Sequence, residues 1–232
     1  HGWATPESIA DLRATMGDDT WEKEMEHGEP VVGGLVWDAL LINEIFDPEF
    51  GIFEGELHEY CVTPGEEEPR AGYEYYHGVD LASKLDFTII ASFRKPINGE
   101  GPDVCIAWER TGRLEWGYIC YRVDERIKTY GGVAYYDATG VGQVAGEMFT
   151  TVLEPWDFNK KRESIVMLEN YVQALKTRKI KYPLIEWAKN EHKGTTFDEL
   201  FGGRHLSDAV CAGALAWQAR EFTGDIILGR AW

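Results

Sequence analysis

The 232-residue chain lacks the short signatures that would identify a function directly. No GxxxxGK[ST] loop is present, so the sequence encodes no P-loop nucleotide site. The four cysteines, Cys61, Cys105, Cys120 and Cys211, are scattered without a CxxC pair, unlike zinc clusters or disulfide frameworks. Cys105 and Cys120 have apolar neighbours and read as small core residues in a reducing compartment. No apolar run approaches the roughly 20 residues that cross a bilayer, and no signal-peptide pattern opens the chain, so no membrane partner is expected. Internal repeats and low-complexity tracts are absent. The chain starts His1-Gly2 rather than with Met, as expected of a piece cut from a longer protein.

Basic residues are also scarce, 23 against 40 acidic, for a net charge of -17. Such a balance argues against simple phosphate binding, but its distribution changes that inference. Residues 1–70 hold 18 acidic and three basic side chains, Arg13, Lys23 and Arg70; residues 71–232 hold 22 and 20. The acidic load belongs to the first segment, which could meet a basic partner. The rest carries a net of only -2 and does not repel nucleic acid as a whole.

With 44% hydrophobic residues and nine tryptophans, the chain can bury a core of one substantial domain, with or without an appendage. Thr5-Pro6-Glu7 starts a helix that Gly17 ends, and a second short helix is expected over Thr20–His27. Pro30–Leu40 reads as strand-like. The polar stretch VTPGEEEPRAG (62–72) suits a boundary, dividing the chain into 1–70 and 71–232. Strands are expected at Tyr75–Leu81, Phe87–Phe93, Val104–Glu109, Val133–Tyr136 and Thr151–Pro155. Helices are expected over Leu114–Tyr130, Gln143–Thr150, 159–179, Tyr182–Asn190 and His205–Ala219. Arg94–Asp103 reads as a hairpin loop and Lys193–Gly203 as a glycine-rich loop. Three meandering strands followed by alternating helices and strands predict an α/β mixed sheet with helices on its faces.

Three aspartates stand where charge is costly. Asp80 ends a strand inside GVDLA, where burial demands a partner or a cation; the plain alternative is a turn cap. Asp137 follows VAYY and precedes a glycine-rich turn, at the strand end where α/β ligands gather; the alternative is a helix N-cap. Asp208 opens the apolar helix DAVCAGALAW, with Cys211, Ala212 and Leu215 on its face; a favourable helix-dipole position is the alternative. Three converging carboxylates repel unless a cation neutralises them. With no His or Cys expected near them, hard oxygens select Mg²⁺ or Mn²⁺. Two such ions about 3.5–4 Å apart hydrolyse phosphodiesters. Asp86 could join them or merely cap its turn.

On these motifs the chain resembles the nuclease domain of the large terminase subunit of tailed bacteriophages, an RNase H-like fold. The likeness spans about Tyr73 to Ala219. It is carried by GVDLASKLDFTII, YYDATGVG, NKKRESIVMLENYVQALKTRKIKYP and HLSDAVCAGALAW, while ESIADLRATMGDDTWEKEME is similar to the family's linker after an ATPase domain. The resemblance implies a three-stranded antiparallel meander extended by parallel strands, with helices on both faces. It implies a metal-dependent endonuclease cutting double-stranded DNA during packaging in the host cytoplasm. Its implied partners are the ATPase domain of the same polypeptide, the portal and the small terminase subunit. The family's acids fall on Asp80, Asp137 and Asp208, with Asp86 as an additional acid of some members. Many members carry adjacent acids in the last helix, whereas here Ala209 follows Asp208. The family's basic residue at the start of the long helix falls on Lys160 or Lys161. Further DNA-contact candidates are Arg94, Lys95, Lys193, Arg204 and His205, the last with capping or packing as its alternative. Two other readings stay open: a Holliday-junction resolvase or transposase relative, and a non-enzymatic ion-binding docking module.

Overall fold

The structure is a computed structural model that describes residues 34–53, 60–62, 68–82, 87–112, 114–139, 142–201 and 206–222. The expected helices over Thr5–Gly17 and Thr20–His27 lie outside the described residues. Seven strands form one mixed sheet: β1 (Tyr60–Val62), β2 (Tyr73–Asp80), β3 (Phe87–Pro96), β4 (Asp103–Gly112), β5 (Val133–Asp137), β6 (Glu154–Trp156) and β7 (Ile180–Lys181). Their order is β1-β4-β3-β2-β5-β6, with β7 also on β4. β1 through β4 pair antiparallel, whereas β5, β6 and β7 pair parallel to their neighbours. Seven α-helices accompany them among the described residues: α1 (Ala39–Ile45), α2 (Trp116–Tyr130), α3 (Gly142–Gly146), α4 (Lys161–Lys176), α5 (Glu186–Gly194), α6 (Phe197–Phe201) and α7 (Asp208–Arg220).

Strand alternation decides what each face of the sheet receives. On β2, Tyr76 packs into the larger core cluster with α4 and α7, while Val79 packs into the cluster built with α2. On β5, Val133 and Tyr135 join the α7 side, while Ala134 and Tyr136 join the α2 side. Helices therefore cover both faces, as the sequence predicts. The α2 face is also pinned by charge. Glu109, fully buried on β4, accepts from Arg122 Nε and Nη2 (both 2.9 Å) and from Arg126 Nη2 (3.1 Å).

The structure departs from expectation in several places. Pro30–Leu40 reads as strand-like, yet Asp38 caps a helix, its carboxylate accepting from the Leu40 N–H at 2.6 Å. Val36, Trp37, Ile42, Ile45 and Phe46 then enter the larger core cluster, so residues before 71 are physically part of that core. Lys193–Gly203 is not simply a loop. Lys193 sits in the last turn of α5, and Thr196 and Glu199 form a reciprocal capping box that starts α6. The expected helix over Tyr182–Asn190 begins four residues later, because Ile180–Lys181 and the bridge from Tyr182 to Phe46 hold the preceding chain extended.

Two buried histidines stabilise the interior in neutral form. His77 Nε2 faces the Gly131 carbonyl (2.8 Å), which can only accept, so Nδ1 accepts from Ser92 Oγ (2.9 Å). By the same logic His192 Nδ1 donates to Ala188 O and Nε2 accepts from Tyr171 OH, both at 2.8 Å. Burial pushes both imidazoles down to about 4, from 6.5. Below pH 6.5 the unfolded chain gains protons that the folded chain refuses. Stability is thus complete above pH 6.5 and is lost as pH falls towards 4, by on the order of 3 kcal/mol for each histidine. Urea midpoints measured from pH 7 to 4 should fall accordingly, and His77→Gln should flatten that slope. A pH-independent midpoint across this range would refute the assignment.

Candidate metal centre

β2 and β5 run parallel with Tyr76 beside Val133 and Val79 beside Tyr136. The next residue of each strand is an aspartate, so Asp80 and Asp137 end neighbouring strands at the same edge of the sheet. The period of two puts Asp80 on the same face as Tyr76 and Gly78, and Asp137 on the face of Val133 and Tyr135. That is the face covered by α7.

Gly78 lets the helix come close enough to matter. A Cβ there would stand 2.0 Å from Ala212 O and 2.3 Å from Ala216 N, so the backbones of β2 and α7 lie in direct contact. Ser207 stands at the N-cap position of α7 without a side-chain capping bond, Asp208 is the first residue of the helix, and Cys211 follows one turn later. A carboxylate oxygen of Asp80, one of Asp137 and Cys211 Sγ all lie within 4.8 Å of one another. Asp80 and Cys211 are buried and Asp137 is half-buried.

The turn after β5 fixes Asp137. The Thr139 N–H donates to Asp137 Oδ1 at 2.7 Å, and Thr139 Oγ1 accepts from the Phe158 N–H at 3.1 Å. Gly142 is required because a Cβ would meet Asp137 O at 2.0 Å. At the start of α7, Glu191 accepts from the Ala209 N–H at 2.9 Å and holds the helix end from α5. Asp208 is buried there but stands outside the closest three-atom group. Its charge still reaches the centre: burial, then Asp80, Asp137 and Asp208, push the Cys211 thiol well above its ordinary range.

Cys211 corrects one expectation from sequence. The carboxylates are expected there to have no Cys nearby, but Cys211, one turn after Asp208, brings a thiol beside Asp80 and Asp137. The donor set is therefore mixed, two oxygens and one sulfur, and fits a divalent cation.

Asp80, Asp137 and Cys211 line a cavity of about 430 Å³ that Lys161, Asn159 and Glu199 also border. Lys161 meets the cavity from the first turn of α4, whereas Lys160 is that helix's N-cap and is not among the lining residues. Lys193, on α5, does not line it either. Arg94 and Lys95 belong to β3 rather than to a loop, Arg94 lying over the Tyr73 ring and Lys95 pairing with Glu74 at 3.2 Å. Arg94 pairs with Tyr75 in register, whereas Asp80 pairs with Ile89. Five residues at about 3.3 Å each put Arg94 roughly 17 Å along the strand from Asp80. Asp86, Arg204 and His205 lie outside the described residues.

No family model matches the sequence, and no curated protein matches it. Solved structures do. The large terminase nuclease from thermophilic phage G20c with bound magnesium superposes with a TM-score of 0.62 at 17% identity, covering 80% of this chain and 97% of that one. The same nuclease with bound zinc or cobalt gives TM-scores of 0.55 and 0.59. The large terminase nuclease domain of Thermus phage P74-26 gives 0.51 at 14% identity, covering 76% of this chain and 93% of that one. The HK97 bacteriophage large terminase gives 0.51 at 10% identity, covering 70% of this chain and 44% of that one. The chain has the RNase H-like fold of these phage terminase nucleases.

Proposed function

We propose that this chain is a metal-dependent endonuclease of the large-terminase kind that cuts double-stranded phage DNA during packaging. The reading is carried by the convergence of Asp80 and Asp137 on the α7 face, within a fold whose solved examples include magnesium-, zinc- and cobalt-bound nucleases. Asp80 and Asp137, with Asp208 from the helix start, hold the cation or cation pair, of which Mg²⁺ or Mn²⁺ is the working form. Bound divalent ions supply charge neutralisation at the scissile phosphate and a water poised for attack.

The protein's own share is placement. Thr139 orients Asp137 through its backbone N–H, Glu191 anchors the helix that bears Asp208, and Lys161 faces the cavity where a phosphate would enter. Asp86 as an additional acid, and Arg204 and His205 as phosphate contacts, belong to the same reading. Arg94, Lys95, Lys160 and Lys193 would act on DNA only away from the cavity. Residues 1–70 follow an ATPase domain of the same polypeptide in this reading, and the portal and small terminase subunit are the partners, in the host cytoplasm. Among the described residues no helix is long and apolar enough to cross a membrane.

Plasmid nicking with Mn²⁺ or Mg²⁺ tests the assignment. Asp80→Ala and Asp137→Ala should each reduce the rate at least about a hundredfold, equivalent to roughly 2.7 kcal/mol of transition-state stabilisation. Cleavage that persists in both variants refutes it. Strong preference for four-way junctions over linear duplex would point to a resolvase instead.

A further inference from the structure

Cys105 and Cys120 are buried thiols that donate to the backbone carbonyls of Ala107 (3.7 Å) and Ala145 (3.8 Å), as structural cysteines do. Cys211 is different. It is buried, yet it borders the same cavity as Asp80 and Asp137, and its Sγ belongs to their three-donor group. Around a tetrahedral ion with bonds of about 2.0–2.3 Å, ligand atoms stand roughly 3.6 Å apart. Donors already within 4.8 Å need to close by only about an ångström.

We propose that Cys211 is a metal ligand, and that the centre takes thiophilic divalent cations, Co²⁺, Zn²⁺ or Cd²⁺, through Asp80, Asp137 and Cys211 Sγ. Thiolate sulfur favours soft ions and carboxylate oxygen favours hard ones, so the centre discriminates by which donors an ion recruits. Mn²⁺ and Mg²⁺ engage the carboxylates, whereas Cd²⁺ gains the sulfur as well. As the sulfur–metal bond forms, the thiol proton passes to solvent and no electron changes hands. The inference rests on the reading of Asp80 and Asp137 as cation ligands.

Cobalt titration of the full chain reads the sulfur directly. Wild type should develop the sulfur-to-cobalt charge-transfer absorption in the near ultraviolet. The band should vanish in Cys211→Ser and survive in Cys61→Ser. By calorimetry, the ratio of the Cd²⁺ to the Mn²⁺ dissociation constant should rise at least about tenfold in Cys211→Ser. Cobalt binding to wild type without the band, a band that survives in Cys211→Ser, or an unchanged ratio overturns the sulfur ligand while leaving the carboxylate reading intact. Failure of wild type to bind either Mn²⁺ or Co²⁺ overturns both.

Discussion

Gly78→Ala is expected to cost about 3 kcal/mol or more of folding stability and to separate Asp80 from Cys211. The added Cβ would meet main-chain atoms of α7, Ala212 O at 2.0 Å and Ala216 N at 2.3 Å. Neither atom can rotate away as a side chain would, so the helix itself must lift from β2. The lift has a functional consequence, because α7 carries Asp208 and Cys211 while β2 carries Asp80. Urea denaturation should show the loss, and Co²⁺ affinity should fall with it. Gly194→Ala is the matched control: a Cβ added there meets nothing within 4 Å, so its change should stay within about 0.5 kcal/mol. Equal midpoints for the two variants would refute the close-contact account.

Glu109→Ala should be comparably damaging, by about 3–5 kcal/mol. Glu109 is fully buried and receives three hydrogen bonds from Arg122 and Arg126 of α2, and Arg126 is itself only 4% exposed. Removing the carboxylate takes from a buried guanidinium the charge that Glu109 supplies, and that cost exceeds the net worth of the pair. The exposed Lys128–Glu125 pair, 3.3 Å apart with side chains 53% and 46% exposed, offers the contrast. Glu125→Ala should change stability by less than about 0.5 kcal/mol. Thermal or urea unfolding of both variants checks the difference. A loss below about 1 kcal/mol for Glu109→Ala would mean that α2 relaxes to solvate its arginines.

The sequence pattern reaches much of this architecture because local physics agrees with tertiary context along β2, β3, β5, α2 and α4. Apolar periodicity and the glycine stops at Gly131-Gly132 mark those elements before any packing is known. Asp80 and Asp137 are equally legible, since a charge ending an apolar strand is locally anomalous. Cys211 is not. Its spacing from Asp208 is visible, but which way that helix face turns depends on where β2 and β5 end in space. The same limit applies to Pro30–Leu40, where a short apolar run without clear periodicity reads as strand-like. Asp38 capping starts a helix at Ala39 instead, and that helix packs against α5. Arg94 and Lys95 mislead for a related reason. Turn residues beyond Pro96 suggest an early loop, yet ladder pairing with Tyr75 and Glu74 carries β3 through both basic residues. The capping box at Thr196–Glu199 is readable in TTFDELF, and only the surrounding glycines favour a loop reading.

The composition of α7 bears on how reproducibly the acids can be placed. Ala209, Ala212, Gly213, Ala214, Ala216 and Ala219 are buried along its length, and none has a side-chain torsion that moves heavy atoms. At Gly78 the approach of helix to sheet is consequently set by main chain against main chain, with Val210 and Leu215 among the larger buried side chains of the helix. At that closest approach the spacing between the strand that carries Asp80 and the helix that carries Cys211 depends on no side-chain rotamer.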